Sequence, residues 1–220
     1  MGADRKAKGL NARMTGTQGS RRSRRIIASV LVVAMLAGAI VTDQVGGNSR
    51  SGRYAGLPAY AYLAEAMECL SYGWLRWTAY WLGTQVSSAD SASGQYRRAC
   101  IGVANGDFAD AEKWLEAYIG AEPGHSGEES AALTMQLACI RSLNGDAQGA
   151  ARAASEAAAQ DAKSARLQQL SYRFSLEAGD AQGAANALGA YAELVQDDTL
   201  YEAIADLYLE AGNYEESGRF

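Results

Sequence analysis

Apolar and polar positions along the chain fall into two regimes. Residues 26–41, IIASVLVVAMLAGAIV, form one uninterrupted apolar run without a charge. Further on, apolar residues recur at helical spacing instead, as in Phe108, Ala111, Leu115 and Tyr118. These periodic stretches are punctuated by Gly106, Gly145, Gly179 and Gly212, each followed by Asp or Asn. A glycine can take the left-handed backbone that stops a helix, and Asp or Asn is a good first cap for the next one. The pattern therefore predicts units of helix, glycine turn, helix and loop. In the first such unit the second helix is predicted over 108–120, with Pro123 breaking the chain after it.

The units repeat. GDAQGAA occurs at Gly145–Ala151 and again at Gly179–Ala185, offset by 34 residues. LEAG occurs at Leu176–Gly179 and Leu209–Gly212, offset by 33. ACI followed by NGD occurs within Ala99–Asp107 and Ala138–Asp146, offset by 39, and the loop Gly120–Ser130 accounts for the added length. Gly73 lies 33 before Gly106 and marks residues 58–91 as an aromatic-rich helix pair, a degenerate earlier unit. A fixed period in this range is the signature of a stacked repeat. The last unit is incomplete, since only eight residues follow Gly212. An uncovered repeat end predicts either self-association there or a fragment of a larger protein.

The layout resembles the tetratricopeptide repeat family. Small residues stand seven before the turn glycine at Ala99, Ala138 and Ala205, tyrosine four before it at Tyr208, and alanine five after it at Ala111, Ala150 and Ala184. Pro123 closes one unit. Tyr172 departs from the pattern by standing where the family prefers a small residue, so the third unit is expected to pack differently. The resemblance covers residues 92–220. It implies an all-α solenoid of helix-turn-helix repeats whose first helices line a concave groove that holds peptides. Carried onto this chain, the groove positions are Tyr96 and Cys100, Met135 and Cys139, Gln169 and Arg173, and Glu202 and Asp206, with Arg166 one turn further back. Such a groove would grade from apolar to charged and would suit an extended or helical protein segment.

Charge changes the picture at the N-terminus. Residues 1–25 carry eight basic residues against the single acid Asp4, in a chain whose net charge is −5. A basic tail directly before an apolar run reads as a cytoplasmic tail preceding a transmembrane signal anchor at 26–42, with the rest of the chain outside. A cleaved signal peptide, with Ala37-Gly38-Ala39 as the small-residue site, is the alternative, and it also exports the rest. Residues 43–57 read as a glycine/serine-rich linker. The acidic remainder excludes a nucleic-acid-binding face. Abundant alanine and an excess of arginine over lysine point to a bacterial source, hence to a bacterial cell membrane.

Candidate chemistry is sparse. Three cysteines (Cys69, Cys100, Cys139) form no CxxC pair, and Cys100 and Cys139, at equivalent repeat positions, read as small semi-buried residues rather than a disulfide. The single histidine, His125, reads as an exposed loop residue. Paired acids at Glu128-Glu129, Asp197-Asp198 and Glu215-Glu216 read as solvated loops and caps. Aromatics over 54–82, with Trp74, Trp77 and Trp81 on one helical face, read first as core packing, then as a membrane-interface belt or a partner patch. No catalytic residue, cofactor site or metal site is expected. The function expected from the sequence is a membrane-anchored, extracytoplasmic scaffold for protein–protein interaction, an accessory subunit of an envelope or secretion complex. A secreted or self-assembling structural repeat protein is the alternative.

Overall fold

The predicted turn glycines adopt a backbone that other residues resist. In the computed structural model, which describes Tyr54 and residues 56–67, 81–86, 88–121 and 125–220, Gly106, Gly145, Gly179 and Gly212 have φ of 74°, 92°, 72° and 75°. After each, the next amide donates to a carbonyl five residues back. Asp107 bonds Gly102, Asp146 bonds Arg141, Asp180 bonds Ser175 and Asn213 bonds Tyr208, at 2.8–2.9 Å. The same Asp or Asn then turns its side chain onto the next helix. Asp146 accepts from the Gly149 amide, Asp180 from Gly183 and Asn213 from Glu216. One short sequence device is thus used at every turn between paired helices.

The helices are α1 (Pro58–Ala66), α2 (Ala92–Asn105), α3 (Phe108–Ala121), α4 (Gly127–Asn144), α5 (Ala147–Gln160), α6 (Ala165–Glu177), α7 (Ala181–Val195), α8 (Tyr201–Glu210) and α9 (Tyr214–Ser217). Residues 81–86 are also helical, and there is no strand among the described residues. From α2 to α9 each helix packs on the next in sequence. This is an all-α solenoid of helix-turn-helix pairs, as the period predicts.

The loop expected over Gly120–Ser130 is shorter than the sequence reading placed it. Helix α4 already begins at Gly127, because Ser126 accepts a hydrogen bond from the Glu129 amide and Glu128 and Glu129 sit in the first turn, where the helix dipole favours acids. Part of the extra length lies in α4 itself, which has 18 residues against 14 in α2. Pro123 lies outside the described residues. So do the basic tail 1–25, the anchor predicted at 26–42, nearly all of the linker, Gly73 and the greater part of the aromatic segment. Among the described residues no helix is long and apolar enough to cross a membrane.

Packing uses small residues where helices meet closely. Helix α5 buries Ala150, Ala153, Ala154 and Ala157 between its neighbours α4 and α6. The Gln168 side-chain amide closes the connection by donating to the Ala158 carbonyl at 3.1 Å. The apolar interior of the described residues falls into two clusters. One apolar cluster runs from Ala59 to Phe174. A second gathers Ala185, Leu188, Ala192, Ile204 and Tyr208, with the partly buried Tyr172 against it.

The turn geometry makes a specific expectation. Replacing Gly145 by alanine forces a side chain into φ 92° and should cost about 1–2 kcal/mol of stability. Replacing Gly120, which lies in α3 with open space around an added Cβ, should instead gain up to about 1 kcal/mol. Chemical denaturation of the two variants distinguishes them by opposite shifts of the midpoint.

Candidate interaction groove

The predicted groove positions lie on the first helices of each pair, α2, α4, α6 and α8. The structure separates them into two halves. On α4 every residue from Leu133 to Ile140 is buried. An ordinary solenoid helix keeps one face open, whereas a helix buried on all sides has neighbours all round. The additional neighbour is α1, which packs directly on α4.

Helix α1 lies along α4 and reaches Arg166 on α6. It turns Ala59, Tyr62, Leu63 and, just past its end, Met67 inward. At the start of the segment the Tyr54 ring meets Phe108 edge-on, with centroids 4.9 Å apart. At the other end the Glu65 carboxylate takes both terminal nitrogens of Arg166. Nη1 donates to Oε1 at 2.8 Å and Nη2 to Oε2. The guanidinium carbon also stands 5.1 Å from the Tyr62 ring centroid. Burial pushes the Tyr62 hydroxyl up to about 12, with the neighbouring Cys139 as a second cause.

Several sequence expectations are corrected here. Met135 is fully buried, and so are Cys100 and Cys139, so none of them lines an accessible surface. Tyr96 is half-buried. Its ring lies 5.1 Å from that of Tyr118 and its hydroxyl donates to Gln136 at 3.5 Å. Met135 and Cys139 lie on the helix that α1 covers. Arg166 remains exposed, but its guanidinium is engaged by Glu65. Gln169 and Arg173 on α6 and Glu202 and Asp206 on α8 are exposed.

His125 is not the exposed loop residue that its glycine-rich setting implied. Its side chain is 9% exposed, Nδ1 lies 3.3 Å from Glu129, and the ring packs 5.4 Å from Tyr118. Cys100 and Cys139 are buried thiols outside any disulfide, and burial raises the Cys139 thiol well above its ordinary value. Of the aromatic segment, Tyr54, Tyr60 and Tyr62 belong to the groove-filling stretch, and Trp81 is exposed. Cys69, Tyr72, Trp74, Trp77 and Tyr80 lie outside the described residues.

Other polar contacts hold the scaffold rigid. Arg141 on α4 reaches Glu112 at 2.9 Å and Glu116 at 2.6 Å on α3, and Asn144 adds 3.2 Å to Glu112. Burial works against the Arg141 charge, but the two carboxylates outweigh it and its affinity for the proton rises. Ser142 to Glu177 at 3.2 Å and Gln148 to the Ala178 carbonyl at 2.6 Å join the next pair.

The Glu65–Arg166 pair predicts a pH dependence for α1. The hydrogen bond from Arg166 holds the Glu65 carboxyl below its usual value. A lowered acid contributes stability that is full above the ordinary glutamate value of about 4.3 and is lost as pH falls through the lowered one. Amide protection in α1 should therefore fall on acidification below about pH 4.3, while protection at the centre of α5 is unchanged.

No protein-family model matches this sequence, and no curated protein is similar to it. Among solved structures the chain is similar to MamA, a tetratricopeptide-repeat protein. "MamA AMB-1 C2221" aligns with a TM-score of 0.50 and 17% identity over 71% of this chain and 91% of that one. "Crystal structure of MamA protein" aligns with a TM-score of 0.49 and 15% identity, covering 73% of this chain and 86% of that one. The turns, the consecutive helix packing and the first of these alignments together define a tetratricopeptide-like fold.

Proposed function

We propose that this protein is a non-catalytic scaffold that holds a protein segment in the open half of its groove. The observation that carries the reading is the exposed set Gln169, Arg173, Glu202 and Asp206, aligned on the first helices of successive pairs. The set offers a cation, two carboxylates and an amide, which suits a partner segment of mixed charge. The half-buried Glu112–Arg141 bridge and the inter-pair hydrogen bonds tie successive helices together beneath that surface.

The apolar run at 26–42, preceded by Arg21, Arg22, Arg24 and Arg25, supports an inside-out orientation, with the repeats displayed outside a bacterial cell membrane. In that place the protein acts as an accessory subunit of an envelope or secretion complex. Capture from detergent-solubilised membranes tests this. A specific protein should co-purify with the wild-type chain and be lost from Arg173→Glu/Asp206→Lys. A partner retained by that variant, or bait recovered alone, refutes the groove assignment.

A second reading rests on Leu209 and Tyr214, exposed apolar residues of the last pair. They favour self-association through that end. Light scattering over a concentration series reads it as a rising mass, and a constant monomer removes it.

A further inference from the structure

Helix α1 is held more weakly than the repeats it covers. It has nine residues and no side-chain cap at its start, and a helix that short does not persist alone in water. It is attached through four inward side chains, the partly buried Tyr60 and Ala66, the Tyr54 contact and, at Arg166, a cation–π contact and an ion pair. That pair is open to solvent at both ends, with Arg166 52% and Glu65 64% exposed, so it is screened by salt and weak on its own. The fit is also incomplete. A surface cleft of about 290 Å³, open to solvent, runs between Tyr62, Glu65 and Ala66 on one side and Glu128, Ala132 and Leu167 on the other.

What α1 covers is the apolar part of the groove, and its Glu65 end stops at Arg166, one turn from the exposed Gln169. The open half is thus continuous with the covered half.

Resting on the groove reading above, we propose that α1 is a tethered, displaceable occupant of the groove, and that the partner replacing it is an amphipathic helix of the same chemistry. That chemistry is legible in α1 itself. Apolar side chains stand at a first position and three, four and eight residues on (Ala59, Tyr62, Leu63, Met67), with a carboxylate six residues on (Glu65) to meet Arg166. Local opening of the least stable element is the usual way a binding surface is exposed. Until α1 lifts, the scaffold presents only its polar half. The device makes full binding a competition between a segment of this chain and a partner helix.

Cys139 reports on the cover, because it lies buried beside Tyr62 on the helix that α1 packs against. The test uses the full-length chain in detergent with Cys69→Ser, and follows thiol modification of Cys139 by peptide mapping. Arg166→Glu should speed the modification by about fivefold, the effect of losing an exposed pair and adding a like charge. The charge-swapped chain, Glu65→Arg with Arg166→Glu, should return it to the parental rate and so exclude simple misfolding. Leu63→Asp, which removes the central anchor and keeps Arg166, should open Cys139 further. A synthetic peptide of residues 57–67 should then bind that variant and protect Cys139 again. The same peptide with Arg in place of Glu65 should bind about fivefold more weakly.

Unchanged Cys139 rates in Arg166→Glu and Leu63→Asp would overturn the proposal, because α1 would then be a fixed part of the core. Fast modification without peptide protection would overturn the partner chemistry, and protection that depends on protein concentration would assign the groove to a second copy instead. None of these readouts needs the natural partner, so failure here is distinct from failure of the membrane capture.

Discussion

Replacing Ile140 by alanine should lower the unfolding free energy of the repeat domain by about 2–5 kcal/mol, the range found for large-to-small changes at fully buried sites. Ile140 is completely buried in the cluster that joins α1 to α6. Its helix is enclosed by α1, α3 and α5 together. The cavity left by three lost carbons therefore has rigid walls on several sides. In a stack of this kind each pair is stabilised mainly by its neighbours, so weakening α4 should loosen the pairs on both sides of it. A urea titration followed by circular dichroism measures the loss. A shift below about 1 kcal/mol would mean that α4 is less enclosed than the structure indicates.

The second large effect concerns Gly102. Its helix, α2, meets α3 so closely there that an added Cβ would lie 2.9 Å from the Ala111 Cβ, 2.9 Å from its backbone nitrogen and 3.0 Å from its Cα. The obstructing atoms include backbone, so they cannot rotate away. An ordinary mid-helix glycine gains about 1 kcal/mol on replacement by alanine. At Gly102 the sign should reverse, and Gly102→Val should destabilise by about 1–3 kcal/mol through overpacking. Thermal denaturation checks it, and a stabilised variant would show that α2 and α3 do not cross in this register.

The solenoid was legible because its determinants are local. A left-handed turn needs glycine, the next helix needs a cap, and both requirements fall within two adjacent residues at Gly145-Asp146 or Gly179-Asp180. The same register placed Gln169, Arg173, Glu202 and Asp206 on the exposed side of their helices. The occupation of the groove was not legible from spacing, because it pairs Glu65 with Arg166 across 101 residues. No periodicity of either segment specifies the other. One signal was present in the sequence. Leu133–Ile140 carries no polar stripe at helical spacing, only Thr134 and Gln136, and a first helix without a polar face has something on its concave side. Taking Met135 as accessible ignored that signal. His125 was misjudged for a related reason: glycine-rich surroundings imply exposure, but Tyr118 and Glu129 from two helices close over the ring.

The central claim is that the concave face beyond Arg166 is where another protein is held. Site-specific photo-crosslinking in intact cells tests it most directly, with a photoreactive side chain placed at Gln169 on α6 or at Glu156, which is exposed on α5. A discrete cross-linked species is expected from position 169 and none from position 156. A species from position 156 alone, or none from either, would contradict it.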